Sequence, residues 1–163
     1  MHEFIGKMIA TKLKNGILER FDDSAVLENQ QMKRLAMTTD SFVVSPLFFP
    51  GGDIGRLAIA GTVNDLTGAG AVPYALSLAF ILEEGVTYQT LERIIDSIAI
   101  AAKEAKVKIV TGDTKVVEKG KGDQIYINTC GIGFINEDLQ ISTYNARTDD
   151  LIMVTGSIGN HEI

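Results

Sequence analysis

The chain has 163 residues, enough for one domain or for one domain and part of another. Hydrophobic residues make up 45% and charged residues 22%, which supports a sizeable core and excludes extensive disorder. The formal net charge of -6 argues against non-specific nucleic-acid binding, and the longest strongly apolar run, 76–82, is too short to span a bilayer. We therefore expect a soluble cytoplasmic protein that binds neither nucleic acid nor membrane.

The first predicted elements are a helix and a β-hairpin. Apolar residues at helical spacing predict an amphipathic helix over 2–15. Two short apolar segments, 25–28 and 34–39, are separated by a polar turn and are typical of a hairpin. Because the strands of a hairpin run in opposite directions, Asp23 before the first strand and Asp40 after the second are expected at the same end of the sheet.

The segment 38–70 is organised around a glycine-preceded helix for which Asp53 is the predicted N-cap. One stripe of this helix carries mostly small residues: Ile54, Ala58, Gly61 and Asp65. Another backbone or a ligand could lie close against such a stripe. An aspartate there is costly to bury unless a metal ion or another cation pairs with it. The sequence leaves open whether Asn64 and Asp65 belong to such a site or point at water.

The second half of the chain alternates strands with one clear helix. Thr87 is the predicted N-cap of an amphipathic helix that extends to Ala105. Strands are predicted around it over 74–82, 107–111 and 124–135, and the second of these ends in a predicted turn over 112–115. A polar segment begins at Asn136, and a further apolar strand is predicted over 151–155.

We divide the chain on this change of character into 1–137 and 138–163. A strand with no partner after it is typical of the start of a second domain. The segment 138–163 is therefore expected to be a linker and the first strand of a truncated C-terminal domain.

Four aspartates share one sequence context, since each follows or ends an apolar element beside Thr, Ser, Asn or Gly: Asp23, Asp40, Asp65 and Asp113. Carboxylates and nucleotide phosphates are the ligands that Mg²⁺ prefers, so convergence of these elements would make a magnesium–phosphate site. Lys115 would add a positive charge for a phosphate. Aspartates at strand ends are also ordinary turn formers, and spacing alone leaves both interpretations open.

The cysteine, the two histidines and the common nucleotide-binding motifs give no strong indication of a catalytic or binding site in this sequence. Cys130 is the only cysteine, which excludes an intrachain disulfide, and its position within a predicted strand favours a small buried hydrophobe. His2 and His161 lie near the two ends and have no metal-binding spacing. Neither a Walker A motif nor G-x-G-x-x-G occurs.

With these motifs assembled, the sequence resembles the aminoimidazole ribonucleotide synthetase superfamily of ATP-binding proteins. Within it, the sequence is most similar to the carbamoyl dehydratases that serve NiFe-hydrogenase maturation. The resemblance covers essentially the whole chain. It is carried by DDSAVL at 22–27, TTDSFVVSPLFFPGGDIGRLA at 38–58, the Asn64-Asp65 pair, LAFILEEG at 78–85 and VTGDTKVVEKG at 110–120.

The resemblance implies an α+β fold of two layers, in which helices cover a mixed, largely antiparallel sheet. It implies that 1–137 is an ATP-binding and dimerisation domain whose strands close a barrel shared by two subunits. Asp65 is the implied catalytic residue. The implied magnesium ligands are Asp23, Asp40, Asp65 and Asp113. The implied ATP-binding residues are Asn64, Gly112, Asp113, Thr114 and Lys115.

The resemblance also implies a chemistry and partners. The full protein carries a thiocarbamoyl group on a C-terminal cysteine, activates its oxygen with ATP and eliminates it to leave a thiocyanate for the cyanide ligands of the hydrogenase. A carbamoyltransferase and iron-scaffold maturation proteins are the implied partners. The sequence has neither the glycine-rich segment expected before Met1 nor that C-terminal cysteine, so we expect this chain alone to be inactive.

Two alternatives remain at this point. The chain could be a non-catalytic dimerisation and scaffold module in hydrogenase maturation. It could also belong to another ATP-dependent enzyme of the superfamily, such as thiamine-monophosphate kinase or selenophosphate synthetase. The runs SPLFFPGGDIG and GDTKVVEKG favour the carbamoyl dehydratase branch over the second alternative.

Overall fold

The computed structural model describes residues 25–29 and 32–158, with side-chain surroundings from Arg34 onward. The helix predicted over 2–15 lies outside these residues. The elements are β1 (Ala25–Asn29), β2 (Met32–Phe42), β3 (Phe48–Phe49), β4 (Gly52–Asp53), α1 (Ile54–Gly68), β5 (Ala71–Glu83), α2 (Tyr88–Glu104), β6 (Lys108–Val117), β7 (Ile125–Ile135) and a 3-10 turn (Thr143–Asn145). None of the helices in this part of the chain is long and apolar enough to cross a membrane.

Five of the described strands form one sheet in the order β1-β2-β7-β5-β6. The β5–β6 pair is parallel, whereas β1–β2, β2–β7 and β5–β7 are antiparallel. The short strands β3 and β4 pair with each other and lead directly into α1. This is the predicted α+β fold with a mixed, largely antiparallel sheet, and the prediction is confirmed.

The helices cover one face of the sheet because alternate residues of the central strand β7 are apolar or small. Its helix-facing side chains are buried: Ile125, Ile127, Thr129 and Ile135. α1 lies across β2, β7 and β5, and α2 packs on α1. The main core cluster joins Ile54, Ala58 and Ile59 of α1 to Ile94 and Ile98 of α2 and to β5 and β7.

Gly131 allows α1 to lie close to the centre of the sheet. A Cβ at this position would be 2.8 Å from Thr62 Cγ2 and 3.0 Å from Leu66 Cδ1, closer than packed carbon atoms approach. Gly131 pairs with Thr38 on β2, so the same contact brings the last turns of α1 over Thr38. The position of Asp65 follows from this close approach.

The opposite face of the sheet has no helix over it within the described residues. Partly or largely exposed side chains on this face include Tyr74, Ile81, Tyr126, Cys130 and Phe134. The edge strand β6 is exposed at every position except Val117. We call this surface the uncovered face.

Two predicted strand boundaries are wrong. The strand predicted over 107–111 continues to Val117, because residues 112–117 pair with β5 without interruption. Gly112 permits this pairing, since a Cβ there would be 2.2 Å from the carbonyl oxygen of Leu78. The strand predicted over 151–155 does not form, and Leu151, Ile152 and Met153 are 90%, 95% and 89% exposed. A strand needs a hydrogen-bonded neighbour, and no described strand lies beside this segment.

Candidate functional site

The N-terminus of α1 is fixed by Asp53, as its N-cap position predicts. The Asp53 carboxylate accepts hydrogen bonds from Gly55 N at 2.7 Å and from Arg56 N at 3.0 Å. Ile54 and Ala58 are fully buried, so the predicted stripe of the helix does face the sheet. Asp65 belongs to the same stripe and lies near the C-terminal end of α1, so it also faces the sheet.

Asp65 contacts the sheet through Thr38 of β2. Thr38 Oγ1 donates a hydrogen bond to Asp65 Oδ2 at 2.9 Å. Thr38 itself is only 7% exposed. The neighbouring Asn64 is exposed instead. The sequence left open whether these two side chains point at water. Asn64 does point at water, whereas Asp65 is turned toward β2.

Asp40 lies on the same face of β2 as Thr38, two residues further along the strand. Burial raises the pKa of the Asp40 carboxyl, and the negative charge of Asp65 raises it further. Gly61 of α1 leaves room for the neighbouring Phe42 ring, since a Cβ there would be 2.9 Å from that ring, and Asp40 Oδ2 would be at an ordinary contact distance of 3.5 Å from the same Cβ. Two like charges are thus held together at the junction of β2 and α1.

Asp113 lies elsewhere, on the uncovered face. Asp113 is paired with Ala79 of β5, and Ala79 is paired on its other side with Asn128 of β7. Its carboxylate accepts from Lys115 Nζ at 2.7 and 2.8 Å and from Thr114 N at 2.8 Å. The side-chain hydrogen bond from Lys115, followed by that backbone amide, lowers the pKa of Asp113. Both side chains are exposed.

The structure thus brings Asp40 and Asp65 together and holds Asp113 and Lys115 on the other side of the sheet. Asp23 lies outside the described residues. Among the residues that are described, no three His, Cys, Asp or Glu side chains are grouped as metal ligands. Sequence reasoning did not single out Thr38. The signal was present in the TTD run, because Thr38 and Asp40 at i and i+2 on a strand share a face.

A second position missed by sequence reasoning is Glu83, at the end of β5 within the LAFILEEG run. Its carboxylate accepts hydrogen bonds from Gly120 N at 2.5 Å and Gln124 N at 2.9 Å. The hydrogen bond from the Gln124 amide, and then the one from Gly120, lowers the pKa of Glu83. Glu83 therefore fastens the loop between β6 and β7 to the end of β5.

Comparison with known proteins places the chain in a family. Residues 21–135 match the model of "AIR synthase related protein, N-terminal domain". This match spans the sheet, both described helices, and the Asp40–Asp65 pair. The chain belongs to the AIR synthase related protein N-terminal domain family.

Relatives in this AIR synthase related family include carbamoyl dehydratase HypE from Azotobacter vinelandii. The identity is 50% over 163 residues, which is 100% of this chain and 48% of that protein. A crystal structure of a HypE–HypF complex matches with a TM-score of 0.82 and 51% identity over 88% of this chain and 46% of the solved chain. A crystal structure of HypE in complex with ATP matches with a TM-score of 0.64 and 51% identity, over 84% and 40% respectively. The chain thus spans about half the length of the curated relatives that it matches.

Proposed function

We propose that this chain supplies the ATP- and magnesium-binding N-terminal domain of a cytoplasmic carbamoyl dehydratase in NiFe-hydrogenase maturation. The observation that carries the proposal is 50% identity to HypE over the whole chain, together with the similarity to a HypE structure solved with ATP. In this proposal 1–137 is the ATP-binding and dimerisation domain, and 138–163 leads into a C-terminal domain.

The Asp40–Asp65 pair fits a divalent cation. Burial raises the pKa of the Asp40 carboxyl, and repulsion by the neighbouring Asp65 carboxylate raises it further, so the ionised pair is unfavourable without a cation. Mg²⁺ prefers such hard oxygen ligands and completes its octahedron with water and phosphate oxygens. When bound, Mg²⁺ would offset the negative charge that develops on the transferred phosphoryl group.

The proposed reaction removes oxygen from a thiocarbamate on a cysteine of the whole protein. The carbamoyl oxygen takes the γ-phosphoryl group of ATP, releasing ADP, and the carbamoyl nitrogen loses one of its two protons to form a C=N double bond. Loss of phosphate and of the second N–H proton then leaves a C≡N triple bond, so the product is a thiocyanate. Phosphate is a better leaving group than hydroxide, which is the chemical reason for using ATP. Asp65 is the proposed catalytic residue of this domain because it adjoins the proposed phosphoryl site.

The remaining proposed contacts are with the nucleotide. Asn64, Gly112, Asp113, Thr114 and Lys115 are proposed to bind ATP, and Asp23 and Asp113 to complete the magnesium ligands. Asp113 and Lys115 face away from the helices, so a shared site with Asp65 would require movement of β6 or a second copy of the chain. β6 is suited to either role, because it is an exposed edge strand paired on one side only, with β5.

We propose that the domain forms a homodimer through the uncovered face. The exposed β6 edge and the aromatic and aliphatic side chains on this face would be covered by a second copy. The proposed external partners are the carbamoyltransferase and iron-scaffold proteins of hydrogenase maturation. The solved HypE–HypF complex supports the first of these.

Calorimetry with ATP, in the presence and absence of Mg²⁺, tests the proposed function. We expect the 163-residue chain to bind ATP, with affinity that rises when Mg²⁺ is added. A folded dimer that binds no ATP under either condition would contradict the proposal and favour the scaffold alternative.

A further inference from the structure

We infer that Thr38 is a positioning residue that holds the Asp65 carboxylate in place for the proposed magnesium site. This inference rests on the proposed function, since it concerns how one member of that site is oriented. Thr38 touches Asp65 and acts through it.

The hydrogen bond from Thr38 is well suited to fix a carboxylate. Thr38 Oγ1 donates to Asp65 Oδ2 at 2.9 Å, within the normal range for a hydroxyl donor. Threonine is branched at Cβ, so its χ1 is restricted and the hydroxyl has few alternative positions. Thr38 is 7% exposed and sits in the middle of β2. The donor therefore belongs to the rigid part of the fold.

The surroundings of Thr38 hold strand and helix at a fixed separation. Thr38 is paired with Gly131, against which Thr62 and Leu66 of α1 pack. One turn before Leu66, Thr62 Oγ1 lies 2.5 Å from Thr129 Oγ1 on β7, and it donates to the Ala58 carbonyl at 2.9 Å. These buried contacts lock α1 onto the sheet, so the distance from Thr38 to Asp65 is set by the core.

A neutral donor is the appropriate chemistry for this role. A lysine or arginine in the place of Thr38 would orient Asp65 but would also neutralise it. The threonine hydroxyl orients the carboxylate and leaves its negative charge available to a cation. Outer hydrogen bonds of this kind keep metal-ligating side chains in the binding orientation, and losing one typically lowers metal affinity about 10- to 100-fold.

The first test compares Thr38→Val, Thr38→Ser and the control Thr39→Val by calorimetry with Mg²⁺ and ATP. Thr39 lies on the opposite face of β2 and donates to the Thr129 carbonyl at 2.8 Å, so its substitution removes a hydroxyl that does not touch Asp65. We expect Thr38→Val to weaken Mg²⁺-dependent ATP binding about tenfold. Thr38→Ser keeps the donor and should stay near wild type, as should Thr39→Val. Thr38→Ala gives the same comparison if the valine variant does not fold.

The second test asks whether Thr38 acts through Asp65. Adding Thr38→Val to Asp65→Asn should cause little further loss of Mg²⁺-dependent binding, because the charge that Thr38 positions is already gone. Equal losses from Thr38→Val in both backgrounds would overturn the inference, as would wild-type affinity in Thr38→Val. Failure of the wild-type chain to bind ATP would instead overturn the proposed function, and the inference with it.

Discussion

Asp40 on β2 and Asp65 on α1 are electrostatically coupled where the strand meets the helix. Burial, and then the charge of Asp65, raises the pKa of the Asp40 carboxyl above its ordinary value of 3.8. In the absence of a cation this arrangement costs stability at neutral pH. A site that is unfavourable when empty is what a cation-binding pair of carboxylates requires.

Asp40→Asn should therefore stabilise the ligand-free chain at neutral pH. The raised pKa means that the folded state binds the Asp40 proton more tightly than the unfolded state does. The cost of ionised Asp40 is thus present at pH 7 and disappears as the pH falls through the raised pKa to 3.8. We expect the melting temperature of the variant to be about 1–3 °C higher than wild type at pH 7, and the difference to close in acid.

Asp96→Asn on the exposed face of α2 is the matched control for Asp40→Asn, since it removes a carboxylate far from the pair. A lower melting temperature for Asp40→Asn at pH 7, or a difference that grows in acid, would show that burial and repulsion of the ionised Asp40 carboxylate do not destabilise the folded chain.

Glu83→Gln should loosen the loop between β6 and β7. The carboxylate accepts from the Gly120 and Gln124 amides, and these bonds lower its pKa below the ordinary value of 4.5. Its stabilising contribution is present above pH 4.5 and is lost as the pH falls through the lowered pKa. Hydrogen exchange at Gly120 and Gln124 should become faster in the variant at neutral pH. Glu84→Gln, one residue away and exposed, should leave both amides unchanged. Equal exchange in Glu83→Gln and wild type would show that the two hydrogen bonds do not hold the loop.

Tyr74→Lys should disrupt the proposed dimer, whereas Tyr88→Lys should not. Both tyrosines are exposed, by 60% and 78%. Tyr74 lies on the uncovered face, with its ring centroid 5.1 Å from that of Phe134, and Tyr88 begins α2 on the other side of the sheet. Sedimentation at tens of micromolar protein should show a dimer for wild type and Tyr88→Lys and a monomer for Tyr74→Lys. A monomeric wild-type chain would contradict the proposed interface.

Cys130 should not accept a carbamoyl group. It lies within β7, is partly buried, and its backbone amide donates to Ser77 Oγ at 3.2 Å. Incubation with ATP, carbamoyl phosphate and the carbamoyltransferase partner should leave the mass of this chain unchanged. A stable mass increase that maps to Cys130 by peptide analysis would overturn the expectation that the acceptor thiol is a different cysteine.

The sequence predicted local structure well wherever the signal was local. The Asp53 cap, the stripe of α1 and the N-cap at Thr87 all form as predicted, because each depends on residues within one or two turns. The face of the sheet on which each β6 side chain lies could not be predicted in the same way. Taking Gly112-Asp113-Thr114-Lys115 for a turn hid the face on which Asp113 lies, since face is assigned only once a strand is paired.

The hydrogen-bond partner of Asp65 could not be predicted from the residue pattern either. The contact with Thr38 depends on α1 approaching β7 at Gly131, which is 66 positions after Asp65 in the sequence. Helical spacing could show that Asp65 faces the sheet. Only the packing of three elements shows which strand residue meets it.

The most direct test of the proposed function is the effect of Asp65→Asn on Mg²⁺-dependent ATP binding. The substitution keeps the size of the side chain and removes the charge that the proposed site supplies to Mg²⁺. The variant should fold with a melting temperature at or above that of wild type, because a repulsive carboxylate is gone. Calorimetry should show Mg²⁺–ATP binding weakened by about 1–3 kcal/mol, in line with the loss of a charge-assisted contact. Asp96→Asn should bind as wild type does. Unchanged affinity in a folded Asp65→Asn variant would contradict the account and remove Asp65 from the site.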